Sequence, residues 1–281
     1  MKKFMLMVLA CAATVSAAFA IGKSEAGSLA QIRKAGVVRI GVFSDKKPFG
    51  YVDEKGEYQG YDVYFARRIA RDLLGDEKKV QFVPLEAAAR VASLESNKVD
   101  IVLANFTKTE ERAKLVDFAL PYMKVKLGLV SPDAAPITSI DQLTGNPLPL
   151  IVNKGTTAEI YFREKHPEIT LLAFDQNTEA FNALKDGRGA ALAHDNTEVF
   201  AWAIMNPGFT VPNEVGSIGS ADTINPAVRK GNKELLDWLN DEIGNKLGNS
   251  FFHENYQATL APIYGSAVDP DAVVVERGLV N

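Results

Sequence analysis

Cysteine and histidine are scarce in this chain of 281 residues. Cys11 is the only cysteine, and His166, His194 and His253 lie far apart in the sequence. A disulfide framework needs paired cysteines, and a zinc site needs closely spaced cysteine or histidine ligands. The sequence therefore predicts neither a disulfide nor a metal site, and no cofactor is expected.

Clustered positive charge and catalytic motifs are lacking as well. The formal net charge is −4, whereas a nucleic-acid partner would call for a clustered basic excess. No G-x-S-x-G nucleophile motif occurs. Gly187-Arg188-Gly189 has no third glycine and precedes a predicted strand, so it is interpreted as a turn. Nucleic-acid binding and catalysis by a serine or cysteine nucleophile are therefore not expected.

The one marked apolar run lies at the start of the chain. Two lysines precede an apolar run over residues 4–13, and Ala18-Phe19-Ala20 supplies small residues for a cleavage site. This order is typical of a secretory signal peptide, and the run is too short to cross a bilayer. We expect residues 1–20 to be removed and the mature protein to lie outside the cytoplasm, in the periplasm, without a membrane span.

A second interpretation of this segment concerns Cys11. Val8-Leu9-Ala10-Cys11 resembles a lipoprotein cleavage box, and cleavage there would leave Cys11 as a lipid-modified N-terminus. The apolar run before it would then be only seven residues long. Cleavage after Ala20 is therefore the preferred prediction, and it leaves a mature chain without cysteine.

Short β-branched strands and amphipathic helices alternate along most of the chain. Residues 61–74 have apolar positions at helical spacing, and residues 37–42 have the composition of a buried parallel strand. Further strands are predicted at 80–83, 100–104, 127–130, 150–153, 170–173 and 190–193, and further helices at 28–34, 86–96, 110–116, 157–165, 178–185, 233–247 and 250–260. This alternation predicts an α/β fold with parallel sheets.

Two irregular segments interrupt the alternation. Residues 131–149 and 206–225 are rich in residues that favour turns, and such segments mark places where a chain can pass between lobes. Two similar α/β blocks separated by two breaks predict two lobes that are joined by more than one crossing, followed by a polar tail after residue 260. The predicted division is lobe 1 at 37–129 and 217–281, and lobe 2 at 130–216.

A candidate ligand-binding loop follows the strand at 100–104. Asn105 and Thr107 lie between the end of this strand and the start of a short helix. Open α/β sheets bind ligands at the carboxyl ends of their strands, and free N–H groups at helix starts favour anions. Thr107 adds a hydroxyl, and the planar fork of Arg112 suits a carboxylate. The alternative for Arg112 is a solvated side chain on a surface helix.

The second block repeats this arrangement. Thr156 and Thr157 stand between a strand with its glycine turn and the next helix, although threonine is also a common helix cap. Asp195 follows the strand at 190–193, where its carboxylate suits an ammonium group. Its alternative role is to cap the helix that follows. Together the candidates suit a zwitterion, because both charges of a buried zwitterion must be matched.

Six segments of the chain occur in the order found in a known family. They are Gly60–Val63, Lys98–Arg112, Val116–Tyr122, Gly155–Thr157, His194–Asn196 and Ala227–Leu235. Over residues 36–278 the chain resembles the periplasmic polar-amino-acid binding proteins of ABC importers, in particular their cysteine-binding branch. The resemblance implies a type II periplasmic binding protein fold (a Venus flytrap), in which two hinge strands join two α/β lobes and the ligand lies in the cleft.

The resemblance implies a carboxylate grip and a set of partners. Arg112 would hold the α-carboxylate of the ligand, helped by Thr107 and by the backbone at Thr156 and Thr157. The implied partners are a small polar amino acid, cysteine in particular, and the permease of an ABC importer. The protein itself is expected to be a monomer.

The resemblance also implies an ammonium grip and a side-chain pocket. Asp195 would hold the α-ammonium, with the carbonyl of Asn105 as a second acceptor. Phe49 would pack on the ligand, and Asp45 would line the pocket for its side chain. Asn225 departs from the family pattern, which has an alanine before the proline in this segment, so the energetics of lobe closure are expected to differ.

Two other functions stay open at this level. Cyclohexadienyl dehydratases are similar to these binding proteins, but their reaction needs a general acid with a raised pKa, and an Asp195 that holds an ammonium group would keep a low pKa. A surface adhesin is the other alternative, although the sequence has no additional domain, coiled coil or transmembrane anchor. Reversible binding is the leading prediction, and no enzymatic activity is expected.

Export can be tested on its own. Expression of the full chain in a bacterium should yield a periplasmic protein that begins at Ile21, because cleavage follows Ala20. Its intact mass should equal that of the chain without residues 1–20. In the Ala18→Arg variant the large side chain should block processing, and mass spectrometry should find the uncleaved chain. A mature protein that begins at Cys11 and carries added lipid mass would contradict this prediction.

Overall fold

The computed structural model describes residues 27–280. Fourteen strands lie in this part of the chain: β1 (Val38–Val42), β2 (Asp45–Lys46), β3 (Gly50–Val52), β4 (Tyr58–Gln59), β5 (Val80–Pro84), β6 (Ile101–Val102), β7 (Val116–Phe118), β8 (Met123–Pro132), β9 (Leu150–Asn153), β10 (Leu171–Phe174), β11 (Ala191–Asp195), β12 (Phe209–Thr210), β13 (Ile218–Ile224) and β14 (Ala227–Arg229). Two main sheets contain most of them, and this confirms the predicted α/β architecture.

Helices connect most of the strands. Eleven α-helices lie in residues 27–280: α1 (Leu29–Ala35), α2 (Tyr61–Leu74), α3 (Arg90–Glu95), α4 (Glu110–Leu115), α5 (Thr157–Lys165), α6 (Asn177–Lys185), α7 (Asn196–Met205), α8 (Lys233–Asp241), α9 (Phe251–Thr259), α10 (Ala261–Tyr264) and α11 (Pro270–Val273). Short 3-10 helices occur at Ala87–Ala89 and Ile140–Leu143, and Glu242–Lys246 extends α8 as a π-helix. The predicted helix at 61–74 is confirmed over its full length.

The first sheet has the strand order β5-β1-β6-β14-β7. β1 pairs in parallel with β5 and β6, so the chain leaves β1 and β6 at the same edge. The inward residues of β1 are fully buried because β-branched side chains fill a sheet that is covered on both faces. Phe43, directly after β1, and Asn105, three residues after β6, therefore both lie at the cleft.

The second sheet has the order β10-β9-β11-β8-β12, and β13 also pairs with β8. β9, β10 and β11 are parallel, and β8 is antiparallel to β11. A third, small sheet contains β2, β3 and β4, and Lys46 is the last residue of β2. We call the unit around the first sheet the first lobe and the unit around the second sheet the second lobe.

The chain passes between the two sheets directly before β8 and directly after β13. These two strands pair with each other, so both crossings lie side by side. The lobe boundaries given by the sequence, 129/130 and 216/217, lie within β8 and just before β13, and the exact division stays a prediction. Asn225 is buried at the second crossing, where its backbone N–H donates to Phe106 O (3.1 Å) and its side-chain amide donates to Ala119 O (2.7 Å). It therefore fastens the two crossings together.

Two expectations about irregular structure are wrong. Residues 218–224 form β13 inside a segment expected to be irregular, because pairing with β8 outweighs a Gly-, Ser- and Asp-containing composition. The expected polar tail after residue 260 contains α10 and α11, and Tyr264, Val274 and Val275 are buried. These apolar residues have no regular period, so their burial against the first lobe could not be recognised from spacing.

Each main sheet has a hydrophobic cluster on both of its faces. The largest cluster joins α2, α9 and the C-terminal segment to the first sheet. In the part of the chain that the structure describes, no helix combines the length and the apolar character that a membrane span requires.

Candidate functional site

A small cavity lies between the two lobes. Its wall combines residues that follow β1 and β6 in the first lobe with residues at the ends of β9 and β11 in the second. The lining residues are Phe43, Lys46, Arg90, Asn105, Thr107, Thr156, Thr157, His194 and Asp195. Five of the eight residues singled out in the sequence lie in this wall, namely Asn105, Thr107, Thr156, Thr157 and Asp195.

Arg112 lies directly beside the cavity and joins the two lobes. It belongs to α4, and its side chain is buried instead of solvated. One guanidinium nitrogen donates to Thr107 O at 2.7 Å, and another donates to Gly155 O of the second lobe at 2.9 Å. Burial lowers the pKa of Arg112 to about 10, with Asp195 acting in the opposite direction, so the group is still charged at neutral pH.

Arg90 is a second buried guanidinium, which the sequence analysis missed. Its side chain donates only to backbone oxygens in the described contacts, namely Ala87 O (2.8 Å), Ala104 O (3.0 Å), Asn105 O (3.2 Å) and Gly155 O (3.0 Å). The ring of Phe106 lies 4.4 Å from the guanidinium carbon of Arg90 and 5.0 Å from that of Arg112. Burial, together with repulsion from Arg112, lowers the pKa of Arg90 well below its usual value.

Asp195 lies at the N-cap position of α7, but its side chain makes no cap hydrogen bond there. It accepts instead from the side-chain amide of Asn105 at 2.8 Å, across the cleft. Burial raises the pKa of Asp195, whereas Lys46, Arg90 and Arg112 lower it. A buried carboxylate that faces the cavity and does not cap its helix is available for a cationic group of a ligand.

Asn105 has a constrained backbone that fits this position. Its φ is 45°, in the left-handed region that asparagine tolerates better than most residues. Its N–H donates to Asp62 at 2.8 Å, and Tyr122 donates to the other oxygen of the same carboxylate at 2.6 Å. Burial raises the pKa of Asp62 to about 7 in spite of these bonds. The carbonyl of Asn105 already accepts from Arg90, whereas its side-chain oxygen Oδ1 has no partner among the described residues.

A cluster of charged and polar residues around Lys46 lies beside the cavity. Lys46 is 1% exposed, and its Nζ lies 3.7 Å from Glu198 Oε2 and 3.9 Å from Asp195 Oδ2. Burial raises the pKa of Glu198 to about 8, although Lys46 opposes this shift. Burial lowers the pKa of His194 well below its usual value, so its ring is neutral. The sequence gives no sign that Lys46 is buried, because a Lys-Lys pair before a proline is typical of an exposed turn.

The threonines of the second lobe lie at the start of α5. The hydroxyl of Thr156 donates to Asn153 O at 2.7 Å and accepts from the N–H of Glu159 at 3.2 Å, so it caps the helix. Thr157 is the first helical residue, where N–H groups lack intrahelical acceptors. The backbone at this helix start therefore offers donors to an anion.

Phe49 and Asp45 lie outside the wall of this cavity. Phe49 is fully buried in the core of the first lobe, and Phe43 is the aromatic residue that lines the cavity. Asp45 accepts from the side-chain amide of Asn177 (3.0 Å) and from the N–H of Thr178 (3.1 Å) in the second lobe. It therefore fastens the lobes at the mouth of the cleft. Phe43 follows the carboxyl end of β1, and the rule that identified Asn105 could have found it.

The chain matches the family model of bacterial extracellular solute-binding proteins, family 3, over residues 38–256. The chain belongs to this family. It is 32% identical over 253 residues to a glutamine-binding protein of an ABC transporter from Bacillus subtilis (strain 168), a match that covers 90% of this chain and 91% of the relative. The fold is that of a type II periplasmic binding protein, and the protein is an amino-acid solute-binding protein.

Two solved structures are more similar still. The solute receptor for L-cysteine of Neisseria gonorrhoeae is 55% identical, with a TM-score of 0.85, and the match covers 89% of this chain and all of that one. The cysteine-binding protein from Campylobacter jejuni is 54% identical, also with a TM-score of 0.85, and the match covers 88% of this chain and 98% of that one. These relatives are binding proteins.

Lobe closure can be tested by a substitution at Gly155. A Cβ at this residue would lie 2.5 Å from the Cα of Ala88 in the first lobe, so Gly155→Ala should oppose the approach of the lobes. We expect calorimetric affinity for L-cysteine, the ligand of the two structural relatives, to fall at least about tenfold, roughly 1.4 kcal/mol.

Gly187→Ala is the matched control for this change. Gly187 has nearly the same φ, +70° against +74°, but its Cβ would meet nothing within 4 Å. Both variants carry the strain of a left-handed alanine, about 1–2 kcal/mol, so only the interlobe contact differs. Equal affinity losses in the two variants would contradict a role for Gly155 in closure.

Proposed function

We propose that the protein captures L-cysteine between its lobes outside the cytoplasm and delivers it to the permease of an ABC importer. The observation that carries the proposal is the pair of buried, opposite charges at the cavity, Arg112 from the first lobe and Asp195 from the second. A zwitterionic ligand matches both of these charges. The choice of cysteine rests on the two structural relatives at 54% and 55% identity.

The α-carboxylate is held by Arg112. Its two donor nitrogens have the fork geometry that binds both oxygens of a carboxylate. They now donate to the carbonyls of Thr107 and Gly155, and a charged acceptor makes a stronger bond than a neutral carbonyl. The Thr107 hydroxyl and the N–H of Thr157 supply further donors, whereas the N–H of Thr156 already donates to Asn153 O at 3.3 Å.

The α-ammonium is held by Asp195. Asn105 is the second acceptor, and the structure favours its side-chain Oδ1 over the backbone carbonyl, because the carbonyl already accepts from Arg90. A ligand ammonium group in this place satisfies a buried oxygen and compensates a buried carboxylate. Leaving either without a partner is costly, about 1–3 kcal/mol for a neutral group and more for a charge.

Closure couples capture to delivery. The ligand contacts both lobes at once, so it binds the closed form more tightly than an open form and shifts the population toward it. Asp45 at the cleft mouth and Arg90 deeper inside add contacts between the lobes that exist only when they are close. The closed pair of lobes then forms the surface that the permease recognises.

An enzymatic role is not proposed. The dehydratase alternative needs a general acid at the cavity, and Glu198, whose pKa burial raises to about 8, stands behind Lys46 outside the cavity wall. Asp195 is committed to the ligand ammonium in our proposal. Turnover of prephenate or arogenate, followed spectroscopically, would overturn the binding-only function.

A thermal-shift screen of the twenty amino acids and cystine tests the ligand. The protein is first unfolded and refolded to remove any ligand that it carries from the cell. A ligand at 100 times its Kd adds about 2.7 kcal/mol of stability, so L-cysteine should raise Tm by roughly 5–10 °C. A larger shift with another amino acid would replace cysteine in the proposal, and no shift with any of them would contradict it.

Two variants test the assigned grips. Asp195→Asn should weaken L-cysteine binding at least about thirtyfold, roughly 2 kcal/mol, because the ammonium loses its counter-charge. Binding of 3-mercaptopropionate, which lacks the amine, should change much less. Arg112→Lys keeps the charge but loses the fork, and it should weaken both ligands by a similar factor.

Arg163→Lys is the matched control, because the same change is made on an exposed side chain of α5. Calorimetry measures the affinities, and circular dichroism confirms that each variant is folded. Equal losses for the two ligands in Asp195→Asn would argue against the ammonium assignment.

A further inference from the structure

His194 presents a buried donor at the cavity. The N–H of Asp195 donates to its Nδ1 at 2.7 Å, so the neutral ring carries its proton on Nε2. This Nε2 is buried and has no hydrogen-bond partner within residues 27–280. His194 belongs to the cavity wall, so an acceptor on a ligand is the natural partner for this N–H.

Lys46 presents a second donor beside it. Its nearest carboxylate oxygens, on Glu198 and Asp195, lie at 3.7 and 3.9 Å, beyond the distance of a hydrogen bond. Its Nζ also lies 5.1 Å from the ring centre of Phe43 and 5.7 Å from that of Phe49. The ammonium group is therefore buried and lies near two aromatic rings, and its ion pairs with Glu198 and Asp195 are too long to be hydrogen bonds.

The charges around the cavity do not balance at neutral pH. Three cations face it, Lys46, Arg90 and Arg112. Asp62, Asp195 and Glu198 face the cluster from α2, β11 and α7, and burial raises the pKa of all three, that of Asp62 to about 7 and that of Glu198 to about 8. Asp222 of β13, which interacts with Arg112 and Asp195, is half-buried, and burial raises its pKa as well. Asp45 is turned to α6, where Asn177 and Thr178 donate to it.

A zwitterion cannot correct this excess because it brings no net charge. A ligand with one additional negative charge would reduce it and would supply the acceptor that Lys46 and His194 need. Among the small side chains, a thiol can supply that charge, since the pKa of a free thiol is about 8.5. A serine hydroxyl does not ionise in this range.

We propose that L-cysteine is bound as a thiolate, with the sulfur accepting from Lys46 Nζ and from His194 Nε2. This inference rests on the proposed function and specifies how the same site recognises the side chain. On binding at neutral pH the S–H bond breaks, the electron pair stays on sulfur and the proton passes to solvent. The site then discriminates cysteine from serine by charge as well as by size.

The pH dependence has a definite sign. The thiol of the bound ligand has a lower pKa than the free thiol, so the affinity rises with pH up to about pH 8.5 and levels off above it. The rise approaches tenfold per pH unit where the free thiol is protonated and the bound one is not. Asp62, Glu198 and Asp195 also titrate on closure, but their contribution is common to L-cysteine and L-serine and cancels in the difference.

Calorimetric titration at pH 7 in buffers of different ionisation enthalpy measures the protons released. We expect L-cysteine, kept reduced, to release between about half a proton and one proton more than L-serine. Lys46→Met should abolish this extra release and weaken L-cysteine at least tenfold more than it weakens L-serine. Lys46→Arg keeps the charge and should keep the release.

Lys47→Met is the matched control, because it makes the same substitution at the next residue, which is exposed. It should leave affinity and proton release unchanged. If L-serine binds too weakly to measure, the wild type and Lys46→Met are compared with L-cysteine alone. The wild-type proton count stands even where a variant fails to fold.

The outcomes separate the two proposals. Tight L-cysteine binding with no proton release beyond that of L-serine would show a protonated thiol, and it would overturn the thiolate while leaving the proposed function intact. Equal weakening of both ligands by Lys46→Met would also overturn it, because the lysine would then serve the fold. No L-cysteine binding at all would refute the proposed function itself.

Discussion

The carbonyl of Gly155 is the point on which the closed arrangement depends. This one oxygen of the second lobe accepts from Arg90 and from Arg112 of the first. The approach is possible because Gly155 has no side chain against Ala88 and a left-handed φ of 74°. The hydrogen bonds orient both guanidinium groups without neutralising them, since a carbonyl is only a dipole. The same contact therefore joins the lobes and leaves positive charge for a ligand.

Burying so much charge is unfavourable for the protein alone. Burial disfavours the ionised forms of Asp62, Glu198 and Arg90, and the resulting pKa shifts record that cost. A buried charge or polar atom without a partner is destabilising. A ligand that supplies the missing partners recovers part of that free-energy cost. It can contact groups of both lobes at once only in the closed form. This difference is what a binding protein needs to make closure depend on its ligand.

The fold and the common part of the site could be predicted because both follow from local patterns. Asn105, Thr107, Thr156, Thr157 and Asp195 lie at strand ends or helix starts, and these positions converge in any sheet of this topology. The order of the motifs then indicated the family. β13 and the buried C-terminal segment were missed because their structure depends on pairing partners distant in sequence, Met123 among them.

Lys46 and Arg90 could not be found in the same way, and the reason bears on specificity. Their polar groups face the cavity only because β2 and α3 are brought to it by tertiary packing. A lysine in a turn and an arginine in an alanine-rich helix are ordinary surface residues by pattern. In our proposal, the groups that recognise the amino-acid backbone lie at strand ends and helix starts, where sequence rules apply, whereas the lysine that faces the ligand side chain does not. A sequence of this kind reveals the class of ligand before it reveals which ligand.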